Sequence, residues 1–166
     1  PIFSPDSKRI AYVAVAGKKW FVVMDGEEAP QYDFVDASSL RFSPDSERFA
    51  YLAQTGKKWF MVLDGKEEKQ YDNAAAAIFS PDSSRVAYRA VIGKKQFVVL
   101  DGVEGKQYDG TWEGSVTFSP DSKHFAYKAA VLNRELPPQL RTEKQFVVLD
   151  GKEGEKYDDI MEGTPV

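Results

Sequence analysis

No cysteine occurs in the 166 residues, and histidine occurs once, at His124. A disulfide framework and thiol chemistry are therefore excluded. His-based metal centres and Ser/His/Asp or Cys/His schemes lose members they cannot do without. Long apolar runs are missing too. Residues 74–79 form one of the longest, far below the ~20 residues that a membrane helix needs, so no membrane insertion is expected. Positive charge is not in excess: the formal net charge is −4, which gives no reason to expect nucleic acid as a partner. Glycines stand singly at turns, which leaves no phosphate-cradling loop. Paired carboxylates recur in every repeat and so single out no acid–base pair. The expectation is a chain without catalytic residues, metal or cofactor. The lack of cysteine does not fix a compartment. No signal peptide is visible, and a start at Pro1 in mid-repeat, without Met, fits a fragment or a processed chain.

What is present is repetition. Phe-Ser-Pro-Asp-Ser stands at residues 3–7, 42–46, 79–83 and 118–122, at spacings of 39, 37 and 39. Each copy is followed by a stretch ending in Ala-Tyr, then by Lys-(Trp/Gln)-Phe, by Asp-Gly, and finally by Tyr-Asp. A period near 40 must be read before anything else, because it dictates a repeat architecture. Units of this size are too small to be stable alone and must bury their faces on one another. With 42% hydrophobic and 29% charged residues the chain is a globular one.

The first repeat gives the template. Residues 1–4 are extended (strand A). Ser4-Pro5-Asp6-Ser7 is a turn, in which Pro presets φ and the Asp and Ser side chains bond nearby backbone. Residues 9–15 read as strand B. Gly17-Lys18 opens a hairpin into strand C, Lys19–Met24, and Asp25-Gly26 is a strong hairpin signal leading into strand D, residues 28–33. The same strands recur at 48–53, 58–63 and 69–72, and at 85–92, 95–100 and 106–109. Strand C is apolar at consecutive positions, so both of its faces must be covered. Strand D is polar, as an outer edge should be. Four-stranded units of this length indicate an all-β propeller of four blades, near 1–39, 40–76, 77–115 and 116–166. Ten residues, 133–142, are inserted between strands B and C of the last blade.

These motifs resemble the WD-like propeller repeats of the TolB family, whose blades carry a Ser-Pro-Asp-Gly turn before a strand ending in Ala-(Tyr/Phe). The resemblance covers all of the chain except the insert. It implies six-bladed propellers, mostly bacterial, often periplasmic or extracellular, that bind protein partners. Similar propellers cap prolyl-oligopeptidase-like enzymes, non-catalytic by themselves. Ser7, Ser46, Ser83 and Ser122 stand where that family usually has Gly, which suggests a turn without need of a left-handed residue.

Candidate function follows from where the blades differ. Antiparallel connectivity puts the A–B turns (Pro5-Asp6, Pro44-Asp45, Pro81-Asp82, Pro120-Asp121) and the C–D turns (Asp25-Gly26, Asp64-Gly65, Asp101-Gly102, Asp150-Gly151) at one end. They are nearly identical in all blades and read as structural. The B–C turns and D–A connections lie at the other end and vary, so a binding surface is expected there. Its candidates are Trp112 and Glu113, Arg134 and Arg141 of the insert, and the hairpin lysines Lys18, Lys57 and Lys94. Trp112 reads as a partner anchor or, more commonly in such a place, as a plug between blades. The lysines read as a site for an anionic partner or as a solvated turn. The four turn aspartates lie one per blade, without the Asp-x-Asp-x-Asp spacing of a calcium loop. His124 stands in the column of Arg9, Arg48 and Arg85 and reads as a surface residue. The expected function is a non-enzymatic scaffold for protein–protein interaction. The alternatives are the propeller of a prolyl-oligopeptidase-like hydrolase and a lectin-like sugar binder using Trp112. Three assemblies are open: a closed four-bladed ring, a homodimer completing an eight-bladed ring, and part of a larger propeller. No outer strand is expected to be shared between the two ends.

Overall fold

Each repeat forms its own antiparallel sheet in the computed structural model, which describes residues 1–133, 137, 139 and 142–161. Blade 1 contains β1 (Ile2–Phe3), β2 (Ile10–Ala16), β3 (Lys19–Met24) and β4 (Glu27–Glu28). Blade 2 contains β5 (Phe34–Val35), β6 (Arg41–Phe42), β7 (Phe49–Thr55), β8 (Lys58–Leu63) and β9 (Lys66–Glu67). Blade 3 contains β10 (Asn73–Ala74), β11 (Ile78–Phe79), β12 (Val86–Ile92), β13 (Lys95–Leu100) and β14 (Val103–Glu104). Blade 4 contains β15 (Gly110–Thr111), β16 (Thr117–Phe118), β17 (Phe125–Leu132), β18 (Glu143–Leu149) and β19 (Lys152–Glu153). The sheets run in order of sequence, and every pairing is antiparallel.

The Asp-Gly turns behave as their composition demands. Both central residues are left-handed, as at Asp25 (φ 53°) and Gly26 (φ 91°), which is the two-residue hairpin whose twist matches that of the strands. The aspartate then clamps the turn to the start of the long second strand. Asp25 accepts the Ile10 N–H at 2.8 Å and the Arg9 Nε–H at 3.0 Å. Asp64 and Arg48, Asp101 and Arg85, and Asp150 and His124 repeat the clamp. The A–B and C–D turns therefore do share one end.

Strand A differs from the template. In blades 2 to 4 it is split into two halves that pair with opposite ends of the same long strand, as β5 and β6 do with β7. The sheets thus begin earlier than the motif spacing suggests: Phe34–Val35, Asn73–Ala74 and Gly110–Thr111 belong to the blade that follows them. Blade 1 has the second half alone, as β1. The split strand carries buried residues such as Val35, Leu40, Ala74, Ala77 and Val116, whereas the outermost strands are exposed. Strand A is the inner edge of a blade and strand D the outer.

The core lies between blades. Among the described residues three hydrophobic clusters join blades 1 and 2, 2 and 3, and 3 and 4. Each centres on a strand-D tyrosine set against the next blade: Tyr32 on Tyr51 and Phe60, Tyr71 on Tyr88 and Phe97, Tyr108 on Tyr127 and Phe146. There is no fourth cluster joining blade 4 to blade 1 among these residues, and large apolar side chains at both ends stay exposed, among them Phe3, Val15, Val147 and Leu149.

The turn serines correct the sequence expectation. Ser7, Ser46, Ser83 and Ser122 are all left-handed, with φ of 61°, 69°, 64° and 60°. The strain is tolerated because the hydroxyl has work that Gly could not do. Ser46 Oγ accepts the Asp6 N–H of the preceding blade at 3.1 Å, Ser83 the Asp45 N–H at 3.0 Å, and Ser122 the Asp82 N–H at 3.0 Å. No such N–H faces Ser7 among the described residues, where its hydroxyl is exposed and unpartnered. Ser83→Ala should lower stability in urea titrations by about 1 kcal/mol, since it orphans a part-buried N–H. Ser7→Ala should change it by less than about 0.5 kcal/mol. Equal effects from the two would show that the bond between blades contributes nothing.

Candidate binding surface

The two ends of the blades differ in what they leave free. At the A–B/C–D end the turn aspartates of every blade are committed. Ser4 donates to Asp6 at 2.6 Å while Asp6 accepts the Lys8 N–H, and Ser43/Asp45, Ser80/Asp82 and Ser119/Asp121 do the same. The hydroxyl bond is the main reason that the carboxyls of Asp6 and Asp82 are held down at about 2, with the backbone N–H next. Asp45 and Asp121 are lowered for the same reasons. These aspartates stabilise turns. Among the described residues no group of three or more His, Cys, Asp or Glu could hold a metal. His124 bonds Asp150 at 2.7 Å in the place that arginine takes in the other blades. Ser119 lies beside it, but its hydroxyl is given to Asp121.

At the other end the lysine pairs divide. The second lysine of each pair is neutralised by the aspartate that ends strand D: Lys19 by Asp33, Lys58 by Asp72, Lys95 by Asp109, with Lys144 on Asp158 in blade 4. The other oxygen of that aspartate reaches the next blade, where it accepts the N–H of Gly56 or Gly93 in the turn, or of Leu132 at the end of β17. The first lysine, at the tip of each two-residue turn, is exposed and unpaired: Lys18, Lys57 and Lys94. Among the described residues three free ammonium groups thus line the B–C rim, one in each of blades 1 to 3.

Trp112 is not in a loop of that rim. It lies in the inner edge, between the halves of strand A, where Glu113–Ser115 makes a 3-10 turn. Ser115 donates to the Trp112 carbonyl at 2.8 Å and accepts the Lys128 N–H at 2.9 Å, filling the gap that the split leaves in the ladder. Ser39 does this for Leu52 in blade 2. The Lys128 ammonium sits 4.3 Å from the Trp112 ring centroid, a cation–π contact made in a nearly buried setting. It also donates to the Ile160 carbonyl at 3.3 Å. In blade 3 the same column holds Arg89, which bonds Gln96 at 2.9 Å, while its buried Nε has no partner. Blades 1 and 2 have Val13 and Leu52 there. A cation therefore occupies this column in blades 3 and 4 alone. The sequence held this signal in the register column Val13, Leu52, Arg89, Lys128, legible only once strand B was aligned blade by blade. Trp112 is half-buried and packs on Gly110. Arg134 and Arg141 lie outside the described residues, as does the side chain of Glu113.

No protein-family model matches the chain, and no curated protein matches it. Solved structures do. The β-propeller domain of the Trilobed protease from Pyrococcus furiosus, described as having an open velcro topology, superposes with a TM-score of 0.56 at 16% identity, over 90% of this chain and 53% of that one. The fold is that of a β-propeller. TolB from Acinetobacter baumannii matches with a TM-score of 0.52 at 17% identity, over 87% of this chain and 39% of its own. An acylaminoacyl peptidase, solved in complex with Z-Gly-Gly-Phe-chloromethyl ketone, matches at 0.51 and 16%, over 90% and 30%. This chain spans about half the length of the first of these and less of the others.

The depressed carboxyls make acid the natural probe of the propeller. A group whose pKa is lower when folded stabilises the fold above its unfolded value and loses that contribution as pH falls through the folded value. For Asp6 and Asp82 the window runs from 3.8 down to about 2. Thermal melts between these pH values should fall steeply, and Asp82→Asn should make the fall shallower while lowering the neutral-pH melting temperature. A variant with an unchanged acid limb would show that the turn carboxylates are not what acid removes.

Proposed function

We propose that the chain is a non-enzymatic propeller segment that recognises an acidic stretch of a protein partner along its B–C rim. The observation that carries this is the division of the lysine pairs. Lys19, Lys58 and Lys95 are each neutralised at 2.6–2.7 Å, and Lys18, Lys57 and Lys94 beside them are left without counter-charge. A row of free ammonium groups on rigid two-residue turns loses little entropy on meeting carboxylates. Long-range attraction then raises the association rate more than the final affinity. The resemblance of the turns to TolB-type blades extends this reading to a periplasmic or extracellular protein.

A second reading, the propeller of a hydrolase, is favoured by one observation: two of the similar structures are peptidase chains or domains. A Gly-x-Ser-x-Gly domain encoded beside this segment would decide for it. A sugar-stacking role for Trp112 is disfavoured, because Lys128 already occupies its ring.

Selection of a random peptide library displayed on phage tests the first reading. Enriched peptides should be acidic, and their affinity should fall as salt rises. The triple variant Lys18→Glu, Lys57→Glu, Lys94→Glu should lose at least about tenfold, several screened charge contacts of a few tenths of a kcal/mol each being reversed in sign. Peptides without acidic character, or acidic ones indifferent to the triple variant, would overturn it.

A further inference from the structure

The three junctions between blades are copies of one another, and the two open ends carry the halves of a fourth. Within each junction the strand-D aspartate donates its N–H to the next blade's long strand: Asp33 to the Gln54 carbonyl, Asp72 to Val91, Asp109 to Ala130. Its carboxylate takes an N–H of that blade, as described. The two residues after it become the first half of strand A there, in the register Phe34↔Gln54 and Val35↔Ala53, repeated by Asn73↔Val91 with Ala74↔Ala90 and by Gly110↔Ala130 with Thr111↔Ala129. At the turn end Arg9, Arg48 and Arg85 lie over Phe42, Phe79 and Phe118 of the next blade.

Blade 4 presents the donor half unused. Lys144 holds Asp158 in its usual place, yet the Asp158 side chain is 88% exposed, against 45%, 43% and 9% for Asp33, Asp72 and Asp109. The Ile160 N–H bonds Gln145 Oε1 at 3.0 Å, as the Thr111 N–H bonds Gln96 Oε1 at 3.0 Å. The segment is thus already set as a first half-strand, with no long strand beside it among the described residues. Tyr157 is 55% exposed. Blade 1 presents the acceptor half unused. Among the described residues no first half of strand A pairs with β2, Tyr12 and Phe3 are 38% and 67% exposed, and neither the Ser7 hydroxyl nor the Gly17 N–H has a partner.

We propose that blade 4 of one copy of this chain docks on blade 1 of a second copy through this fourth junction, and that two chains close into a ring by making it twice. The occupant follows from the internal junctions, which show what covers each face and in what register. Asp159 pairs with Val15 and Ile160 with Ala14. Asp158 accepts the Gly17 N–H. Tyr157 packs on Tyr12 and Phe21, the Asp121 N–H reaches Ser7, and His124 covers Phe3. The half-strand that completes blade 1 is then supplied by the other chain, and it is an inner strand, whereas the sequence expectation concerned an outer one. One position is mismatched. Lys69 pairs with Glu104 and Lys106 with Glu153 across two internal junctions, whereas the same column sets Glu155 against Glu28 at the new one.

Analytical ultracentrifugation should give about 37 kDa, twice the 18.6 kDa chain, with dissociation on dilution. Asp158→Ala, at an exposed site, should raise the dimer dissociation constant about tenfold, and Glu155→Lys should lower it about fivefold, an ion pair replacing a like-charge contact. The absence of cysteine allows a register test. A chain carrying Val15→Cys and Asp159→Cys should oxidise to a covalent dimer, and one carrying Val13→Cys and Asp159→Cys should not. A monomer at every concentration would overturn the proposal. So would a ladder of longer species, a disulfide formed within one chain, or a Glu155→Lys variant that dimerises less well.

Discussion

A sheet that is apolar on both faces cannot stand alone in water, and every other feature of this chain answers to that constraint. In β7 five consecutive residues, Phe49 to Ala53, are buried, and in β8 Phe60, Met61 and Val62. Burial of each such side chain is worth about 1.5–3 kcal/mol. The gain exists only when blades flank the sheet on either side. Stability therefore belongs to junctions, and blades are what junctions hold together. The charged and exposed outer strands, each two residues long, follow from the same logic, since an outer edge has no neighbour to cover it.

Specificity at a junction comes from polar groups at its rim. The strand-D aspartate has two oxygens, one for the lysine of its own blade and one for a backbone N–H of the next, so a single side chain fixes both position and direction. The turn serine does likewise from the other end and accepts a left-handed backbone to do it. Both devices are directional: each blade gives on one side and receives on the other. A directional junction repeated three times leaves one giver and one receiver among the described residues, and such an interface closes into a ring only if the accumulated rotation allows it.

Much of this was legible in the residues. The four Phe-Ser-Pro-Asp-Ser copies, the Asp-Gly hairpins and the consecutive apolar strand C lead to propeller blades by local rules alone. What stayed hidden was non-local. In blades 2 and 4 the gap left by the split of strand A is filled by a serine, Ser39 or Ser115, capping an N–H on a strand more than ten residues away. The left-handed turn serines look like poor substitutes for glycine until their hydroxyls are seen to bond a blade about 40 residues earlier in the chain. Trp112 stands out in the sequence, but its place on the inner edge and its pairing with Lys128 need the register of β17. The free and the neutralised lysine of each hairpin look the same in sequence. They differ only in which one faces Asp33, Asp72 or Asp109.

Hydrogen exchange of single turn amides is the measurement closest to the central claim. Gly56 and Gly93 each give their N–H to an aspartate of the preceding blade, and Gly17 occupies the same place in blade 1 with no such aspartate. The account predicts that Gly56 and Gly93 are protected at every protein concentration. Gly17 should exchange freely in dilute solution and become protected as the concentration rises. Equal, fast exchange at all three glycines would contradict the claim that these junctions hold the blades together, and fast exchange at Gly17 at every concentration would contradict the claim that its junction is ever completed by a second chain.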